Sequence, residues 1–324
     1  MEQLRGSADG LYFLIISVHG LIRGNDLELG RDADTGGQIK YVVEFCRALG
    51  EHPEVQRVDL VTRLIDDPLV NSDYAKPSEL LAPGVNLVRL RCGHARYIRK
   101  ELLWPHLNSF ADQIIGYLQK IGRRPDIVHS HYADGGYVAS RIVGLLGVPM
   151  LHTGHSLGRV KRQRLFDQGL SIKEIEAQYN IKRRIEAEEV SLDNAAFVVA
   201  STRQEIDEQY STYNSYQPRR MIVLPPGVDL ERFYPPKKDW IKPDIYNELI
   251  RFLSQPRKPM ILALSRADKR KNISTLVQAF AENPQLRELA NLVIIAGNRD
   301  NIEIMEDGPR SVLEELLMLI DRHD

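Results

Sequence analysis

The stretch that decides the fold is residues 126–155, "DIVHSHYADGGYVASRIVGLLGVPMLHTGH". "DIVHSH" and "VPMLHTGH" are short apolar runs that end in polar residues, and "GGYVASRIVGLLG" between them has a helical pattern. Strand, helix and strand in succession make a parallel pair, because parallel strands need a crossover to return the chain to the same end of the sheet.

The alternation extends in both directions. Upstream, residues 11–18 ("LYFLIISV") read as a buried strand and 38–49 as a helix with Ile39, Val42, Val43, Phe45, Cys46 and Leu49 inside. "VQRVDLVTRLI" and "VNLVRLRC" are further strands. Leu107, Phe110, Ile114, Ile115 and Leu118 predict a long helix ending near Lys120, with Pro105 close to its start. Downstream come a charged helix over about 171–194, the strand "AAFVVA", a capping box of Ser201-Thr202 with Glu205, and "RMIVLPPGVD" as a closing strand. Past a Pro- and Lys-rich stretch the pattern restarts with "KPMILALS", a helix from Ile273, "NLVIIAG" and a helix from about Pro309. The fold class is α/β, with parallel, doubly wound sheets. The expected division is a domain over 1–230, a linker over 231–258 and a second domain over 259–324. Two strand–helix pairs are too few to bury both faces of such a sheet, so the second domain is expected to be incomplete and the chain part of a longer one.

Bulk composition excludes several classes. The chain has 324 residues, 43 basic against 44 acidic, and a formal charge of −1. That is no generic polycation for nucleic acid or membrane, so any anion site must be a local cluster. Cys46 and Cys92 sit in no metal spacing and read as reduced thiols. The N-terminal apolar run is too short to span a bilayer and lacks the flanks of a secretory signal, so a cytoplasmic location is expected.

In parallel α/β sheets ligands bind at the carboxyl ends of strands. Those ends here carry His19-Gly20, His129-Ser130-His131, His152-Thr153-Gly154-His155 and Ser201. A single such histidine reads as a core residue; several on one edge point towards a site. A long polar loop after the first strand closes with Gly36-Gly37, where a helix begins. The pair reads equally as a turn or as an anion-binding loop, and it matches neither the dinucleotide fingerprint nor the P-loop. Asp32-Ala33-Asp34 has the form of a metal-binding DxD. With no third ligand nearby it reads as a solvated or loop-ordering pair, and no metal site is expected.

Basic residues gather in "ARYIRK" (Arg96, Arg99, Lys100), "HSLGRVKRQR" (Arg159, Lys161, Arg162, Arg164) and "IKRRIEAEE" (Lys182, Arg183, Arg184). The third could be helix pairing alone; the second follows a strand end, where a phosphate fits. "LSRADKRKN" repeats the theme with Arg266, Lys269, Arg270 and Lys271 in a place suited to a diphosphate.

Taken together, "GRDADTGGQIKYVVEFCRALG", "RKELLWPHL", "HYADGGYVA", "TGHSLGRVKRQRL", "IKRRIEAEE", "PPGVD" and "SRADKRKN" resemble the sucrose-phosphate synthases, retaining glycosyltransferases of family 4 with the GT-B fold. The resemblance implies two Rossmann-like domains, the first for fructose 6-phosphate and the second for UDP-glucose, or ADP-glucose in its place. It implies that Gly37, Gln38, Lys100, Tyr132, Lys161, Arg183 and Arg184 hold the acceptor. Gly36, Gly37, Asp134, His155, Arg266 and Lys271 would meet the donor, with His155, Arg266 and Lys271 carrying the catalysis. The reaction would give sucrose 6-phosphate and UDP, with no required cofactor and Mg2+ at most a stimulant. Neither nucleic acid nor membrane is an implied partner. Sucrose synthases, which act on free fructose, share "DTGGQ" and "RK…WP" but carry an "HALEKTKY"-like stretch where this chain has "HSLGRVKRQR". A sugar-phosphate-binding fragment without turnover is the other alternative, since the family's ribose-binding glutamate motif is expected beyond residue 324.

Overall fold

The computed structural model describes residues 10–31, 34–235, 243–296, 301–303, 305 and 307–323. Asp32 and the middle of the 231–258 connection lie outside them. The chain forms two compact units, Met1–Gly227 and Val228–Asp324.

The larger unit begins with β1 (Leu11–Ile16), α1 (Gly37–Gly50), β2 (Val55–Arg63), β3 (Ser78–Ala82) and β4 (Val85–Leu90). It continues through α2 (Leu107–Ile121), β5 (Ile127–His131), α3 (Tyr132–Leu146) and β6 (Met150–Thr153). Three helices follow, α4 (Gly158–Asp167), α5 (Ile172–Tyr179) and α6 (Ile181–Asn194), then β7 (Phe197–Ala200) and β8 (Met221–Val223). The sheet order is β3-β4-β2-β1-β5-β6-β7-β8, and every pairing is parallel except β3 with β4. From β1 the chain builds outward to β2 and β4. It then returns to pair β5 with the other side of β1 and builds the opposite way. The strand order therefore reverses between β1 and β5, and the crevice beyond their carboxyl ends is where such a sheet admits a ligand.

Alternation along β1 builds two cores. Tyr12, Leu14 and Ile16 pack with Phe110 and Ile114 of α2 and Val138 and Ile142 of α3. Phe13 and Ile15 pack on the other face with Ile39, Val42 and Cys46 of α1. The doubly wound, parallel expectation holds for this unit.

Three local features differ from expectation. β3 is an antiparallel edge strand joined to β4 through Pro83-Gly84, where Gly84 has φ +75°. Its half-exposed, mixed residues left only that Pro-Gly turn as a signal. The charged helix over 171–194 is two helices, because Asn180 adopts a left-handed conformation (φ 45°) that a helix interior cannot contain. The capping box at Ser201-Thr202 and Glu205 is made, but the helical run it opens passes through a π-helical turn, Glu205–Gln209, into a 3-10 turn, Tyr210–Thr212.

The smaller unit holds α7 (Asp244–Ile250), β9 (Met260–Ser265), α8 (Ile273–Ala281), α9 (Pro284–Leu289), β10 (Asn291–Ala296) and α10 (Asp307–His323). Its two strands pair in parallel, and Val277, Val312, Leu313 and Leu316 form its core. Among the described residues no helix is long and apolar enough to cross a membrane.

Phe110 is fully buried between α2 and the sheet. Phe110→Ala is expected to destabilise the larger unit by about 3–5 kcal/mol in urea unfolding, the range for deleting a buried aromatic ring. A loss below about 1 kcal/mol would place the core elsewhere.

Candidate functional site

At the carboxyl end of the sheet of the larger unit, Lys100, Glu101, Tyr132, Asp134, Lys161 and Arg184 line one pocket, walled by Trp104 and Tyr179. Its three cations come one from each of the unit's basic clusters. Arg183 is not among them. It lies exposed on the opposite side of α6, its guanidinium over the Tyr137 ring at 5.3 Å and 3.6 Å from Glu186. Of the implied Arg183-Arg184 pair, Arg184 is the one that lines this pocket. The apolar positions Ile181, Ile185 and Leu192 carried that signal, since they put 184 and 188 on the buried face and 183 about 100° away.

Arg184 is 4% exposed, so it must be paired to stay charged. Its Nε donates to Glu188 Oε1 at 2.9 Å, and its Nη2 donates to the Ser156 carbonyl at 2.6 Å. Glu188 in turn accepts from the Gly158 N–H at 2.9 Å and from the Tyr213 hydroxyl. A side chain at Gly158 would bring its Cβ within 2.7 Å of Glu188 Oε2, so glycine is needed for this approach. Burial opposes the Arg184 charge, but the Tyr132 and Glu188 groups outweigh it and hold the guanidinium proton more tightly than usual. The Tyr132 ring lies 4.5 Å beneath Arg184, and Tyr179 lies 3.7 Å beneath the Lys161 ammonium. Burial, followed by repulsion from Arg184 and Lys100, lowers the Lys161 pKa to about 8.

Lys100 is held from the long loop after β1. Asp34 accepts from the Lys100 backbone N–H at 3.1 Å and from its ammonium. Burial works against the Asp34 charge, but His19 and Lys100 hold its carboxyl below the ordinary value. Of the alternatives for the DxD, Asp34 proves to order the loop. Among the described residues no group of three or more His, Cys, Asp or Glu is arranged to hold a metal. Asp134 lines the pocket, yet its oxygens are engaged by His19 Nδ1 at 2.7 Å and by the Gly135 N–H at 2.7 Å. His19 also sets its ring edge on Tyr132, 4.6 Å between centroids. That supporting role was invisible in the sequence, as was the placing of Glu101, Trp104 and Tyr179. Only the adjacency of Glu101 to Lys100 hinted at one of them.

α1 begins at Gly37 with no side-chain cap, and in its first turn the Ile39 N–H donates back to the Gly36 carbonyl at 3.2 Å. A Cβ on Gly36 or Gly37 would meet no described atom within 4 Å, so packing does not demand glycine at either. Gln38 Nε2 is buried and donates no hydrogen bond. An uncapped helix start bearing an idle amide donor suits an oxygen-rich ligand.

One turn into α1, Tyr41 sets its ring against His155 at 5.1 Å. His155 and Tyr132 both have positive φ, 58° and 65°, at strand ends, and such strained non-glycine residues cluster at functional sites. His155 Nε2 lies 2.9 Å from His131 Nδ1. His129, His131 and His152 are core residues, and His155 alone of the four is partly exposed. In the smaller unit, Lys271 is exposed at the end of a 3-10 turn (Lys269–Lys271) capped by Asp268. Arg266 lies just past β9 and is half-buried. Asp268 pairs with Arg270, whose side-chain hydrogen bond takes the carboxyl down to about 2.

Burial drives His129 to a pKa of about 3 and His152 to about 4, well below an unfolded histidine. The unfolded chain therefore takes up protons that the folded one refuses. Stability is complete above about pH 6.5 and falls as pH drops towards 4, by up to about 1.4 kcal/mol per pH unit for each group. Urea unfolding as a function of pH should show this slope, and His152→Asn should reduce it. An unchanged slope would assign the acid sensitivity to other groups.

The model of glycosyltransferase family 4 matches residues 35–232. Probable sucrose-phosphate synthase 1 of Craterostigma plantagineum is 45% identical, over 100% of this chain and 36% of that protein. Sucrose-phosphate synthase 4 of Arabidopsis thaliana is 44% identical, over 98% and 36%. Among solved structures, a sucrose-phosphate synthase of Thermosynechococcus elongatus has a TM-score of 0.69 at 27% identity, covering 96% of this chain and 68% of that one. The chain spans 36% of the length of these curated relatives.

Proposed function

Because the chain belongs to glycosyltransferase family 4, we propose that its larger unit is the acceptor domain of an enzyme of sucrose-phosphate synthase type. The whole protein would transfer glucose from UDP-glucose to fructose 6-phosphate, giving sucrose 6-phosphate and UDP with retained configuration. The convergence of Lys100, Lys161 and Arg184 on one pocket carries this reading. Three cations around a space lined also by hydroxyl and carboxylate groups suit the phosphate of a sugar phosphate, which charge-assisted hydrogen bonds would hold.

The residues divide the work as follows. Lys161 and Arg184 take the phosphate, Arg184 as a rigid donor because Glu188 and Ser156 fix its plane. Lys100 and Tyr132 orient the sugar, and Gln38 donates from the start of α1. His155, with its imidazole held from behind by His131, meets the transferring glucose. In the smaller unit, the start of the donor domain, Arg266 and Lys271 neutralise the departing diphosphate, the charge that develops as the bond breaks. The acceptor hydroxyl adds to the sugar's anomeric carbon on the face the diphosphate leaves, and a leaving-group oxygen takes the hydroxyl proton. No carboxylate nucleophile is required, so positioning and charge neutralisation lower the barrier. Asp34 and Asp134 fit that scheme, because both are engaged in holding their neighbours. No metal is required by it.

Release of UDP or ADP from the two nucleotide sugars, with fructose 6-phosphate or fructose as acceptor, tests the assignment. Equal use of the two acceptors would overturn it in favour of a sucrose synthase, and binding without turnover would leave a sugar-phosphate-binding chain. Lys161→Ala should weaken fructose 6-phosphate binding about 10- to 100-fold, the worth of a charge-assisted hydrogen bond. Fructose binding should change less than about threefold on the same scale. A parallel loss for both ligands would remove the phosphate role. Since Lys161 gives up its proton near pH 8 in the empty pocket, fructose 6-phosphate affinity should fall as pH rises past that value. Lys161→Arg, with a guanidinium charged throughout, should flatten the profile in calorimetric titrations.

A further inference from the structure

Glu101 places a carboxylate among the cations that an anionic ligand would use. Its Oε1 lies 3.2 Å from Lys100 Nζ and 4.0 Å from Lys161 Nζ. The backbone at Glu101 is anchored, because its carbonyl accepts from Asn180 Nδ2 at 2.8 Å, at the break between α5 and α6. The residue is 7% exposed, and Oε2 accepts no hydrogen bond, its ion pair with the exposed Arg99 standing at 3.6 Å. The other carboxylate on the pocket wall is not in this condition, since both Asp134 oxygens have partners. A buried acceptor oxygen with no donor is costly and rare in folded proteins.

A ligand can supply the missing donor only if it carries an O–H next to its charged oxygens. A ligand made of acceptors alone would share Lys100 and Lys161 with the carboxylate and leave Oε2 without a donor. Sites with a buried, unfilled polar group discriminate strongly against ligands that cannot pair with it.

We propose that Glu101 is a specificity-determining residue, which makes this pocket accept anions that bring their own hydroxyl donor and reject bare anions that do not. The inference rests on the reading of the pocket as an acceptor site. The hydroxyl has two chemical sources, a sugar ring or the P–OH of a protonated phosphate. The negative charge also serves the empty state, in which Glu101 keeps Lys100 and Lys161 from facing each other unscreened.

The test is calorimetric titration of the full chain and of Glu101→Gln with fructose 6-phosphate, inorganic phosphate and sulfate at neutral pH. The unaltered chain should bind fructose 6-phosphate at least about tenfold more tightly than sulfate, a difference of about 1.4 kcal/mol. Glu101→Gln, which removes the charge and adds an amide donor, should bind sulfate about tenfold more tightly than before and narrow the gap. Inorganic phosphate groups with sulfate if the sugar supplies the hydroxyl, and with fructose 6-phosphate if a P–OH does. An unchanged sulfate-to-sugar-phosphate ratio in Glu101→Gln would overturn the proposal. Equal binding of the two anions by the unaltered chain would overturn it without any variant, should Glu101→Gln fail to fold. Fructose binding as tightly as fructose 6-phosphate would instead strike at the acceptor-site reading, a separate failure.

Discussion

The buried pair of Arg184 and Glu188 is the constraint on which the candidate site depends. Neither charge could sit inside the larger unit alone, because an unpaired buried ion costs several kcal/mol. Together they pull three segments into register. α6 supplies both side chains, the turn after β6 supplies the Ser156 carbonyl, and the first residue of α4 supplies the Gly158 N–H. That last bond fixes where α4 begins, and Lys161 stands in its first turn. The placing of Lys161 beside Arg184 is in this sense a by-product of satisfying one carboxylate.

A second tether works from the other side. The loop between β1 and α1 would be free to wander if its only anchors were its ends, but Asp34 binds the backbone and side chain of Lys100. Gly20, with φ +89°, allows the chain to turn so tightly that a Cβ there would lie 2.6 Å from the Asp34 carbonyl oxygen. The loop, the turn that carries Lys100 and the start of α1 are thus one assembly. It opens at the crevice where the strand order reverses, so the candidate site sits where the topology leaves strand ends uncovered.

Much of this was legible in the residues. Short apolar runs and period-3.6 patterns predicted α1, α2 and α3 and the strands they connect, because a strand buried on both faces is apolar throughout and a helix buried on one face is apolar at that spacing. Polar residues at the strand ends and three basic clusters marked the right edge of the sheet. The clusters could not say which cation in each would turn inward. Lys100 rather than Arg99 and Lys161 rather than Arg164 depend on how two short turns present their side chains. Arg184 rather than Arg183 was within reach of helical spacing. The histidines divided the same way. Four looked alike in sequence, but three are core residues bonded to Thr153, to Ser130 or to His155, and His155 alone is partly exposed.

What the amino-acid order determined by itself was local and periodic: which segments form strands and helices, that the sheet runs parallel, and that clusters of basic residues lie beyond its strand ends. Backbone geometry and hydrophobic burial act over a few residues, so a sequence displays them directly. The tertiary structure alone decided which charges pair. Asp34 with Lys100 and His19 with Asp134 are 66 and 115 residues apart. The selection of an ion's partner depends on distance in space, and on the price of burying it alone, neither of which is written in the spacing of the chain.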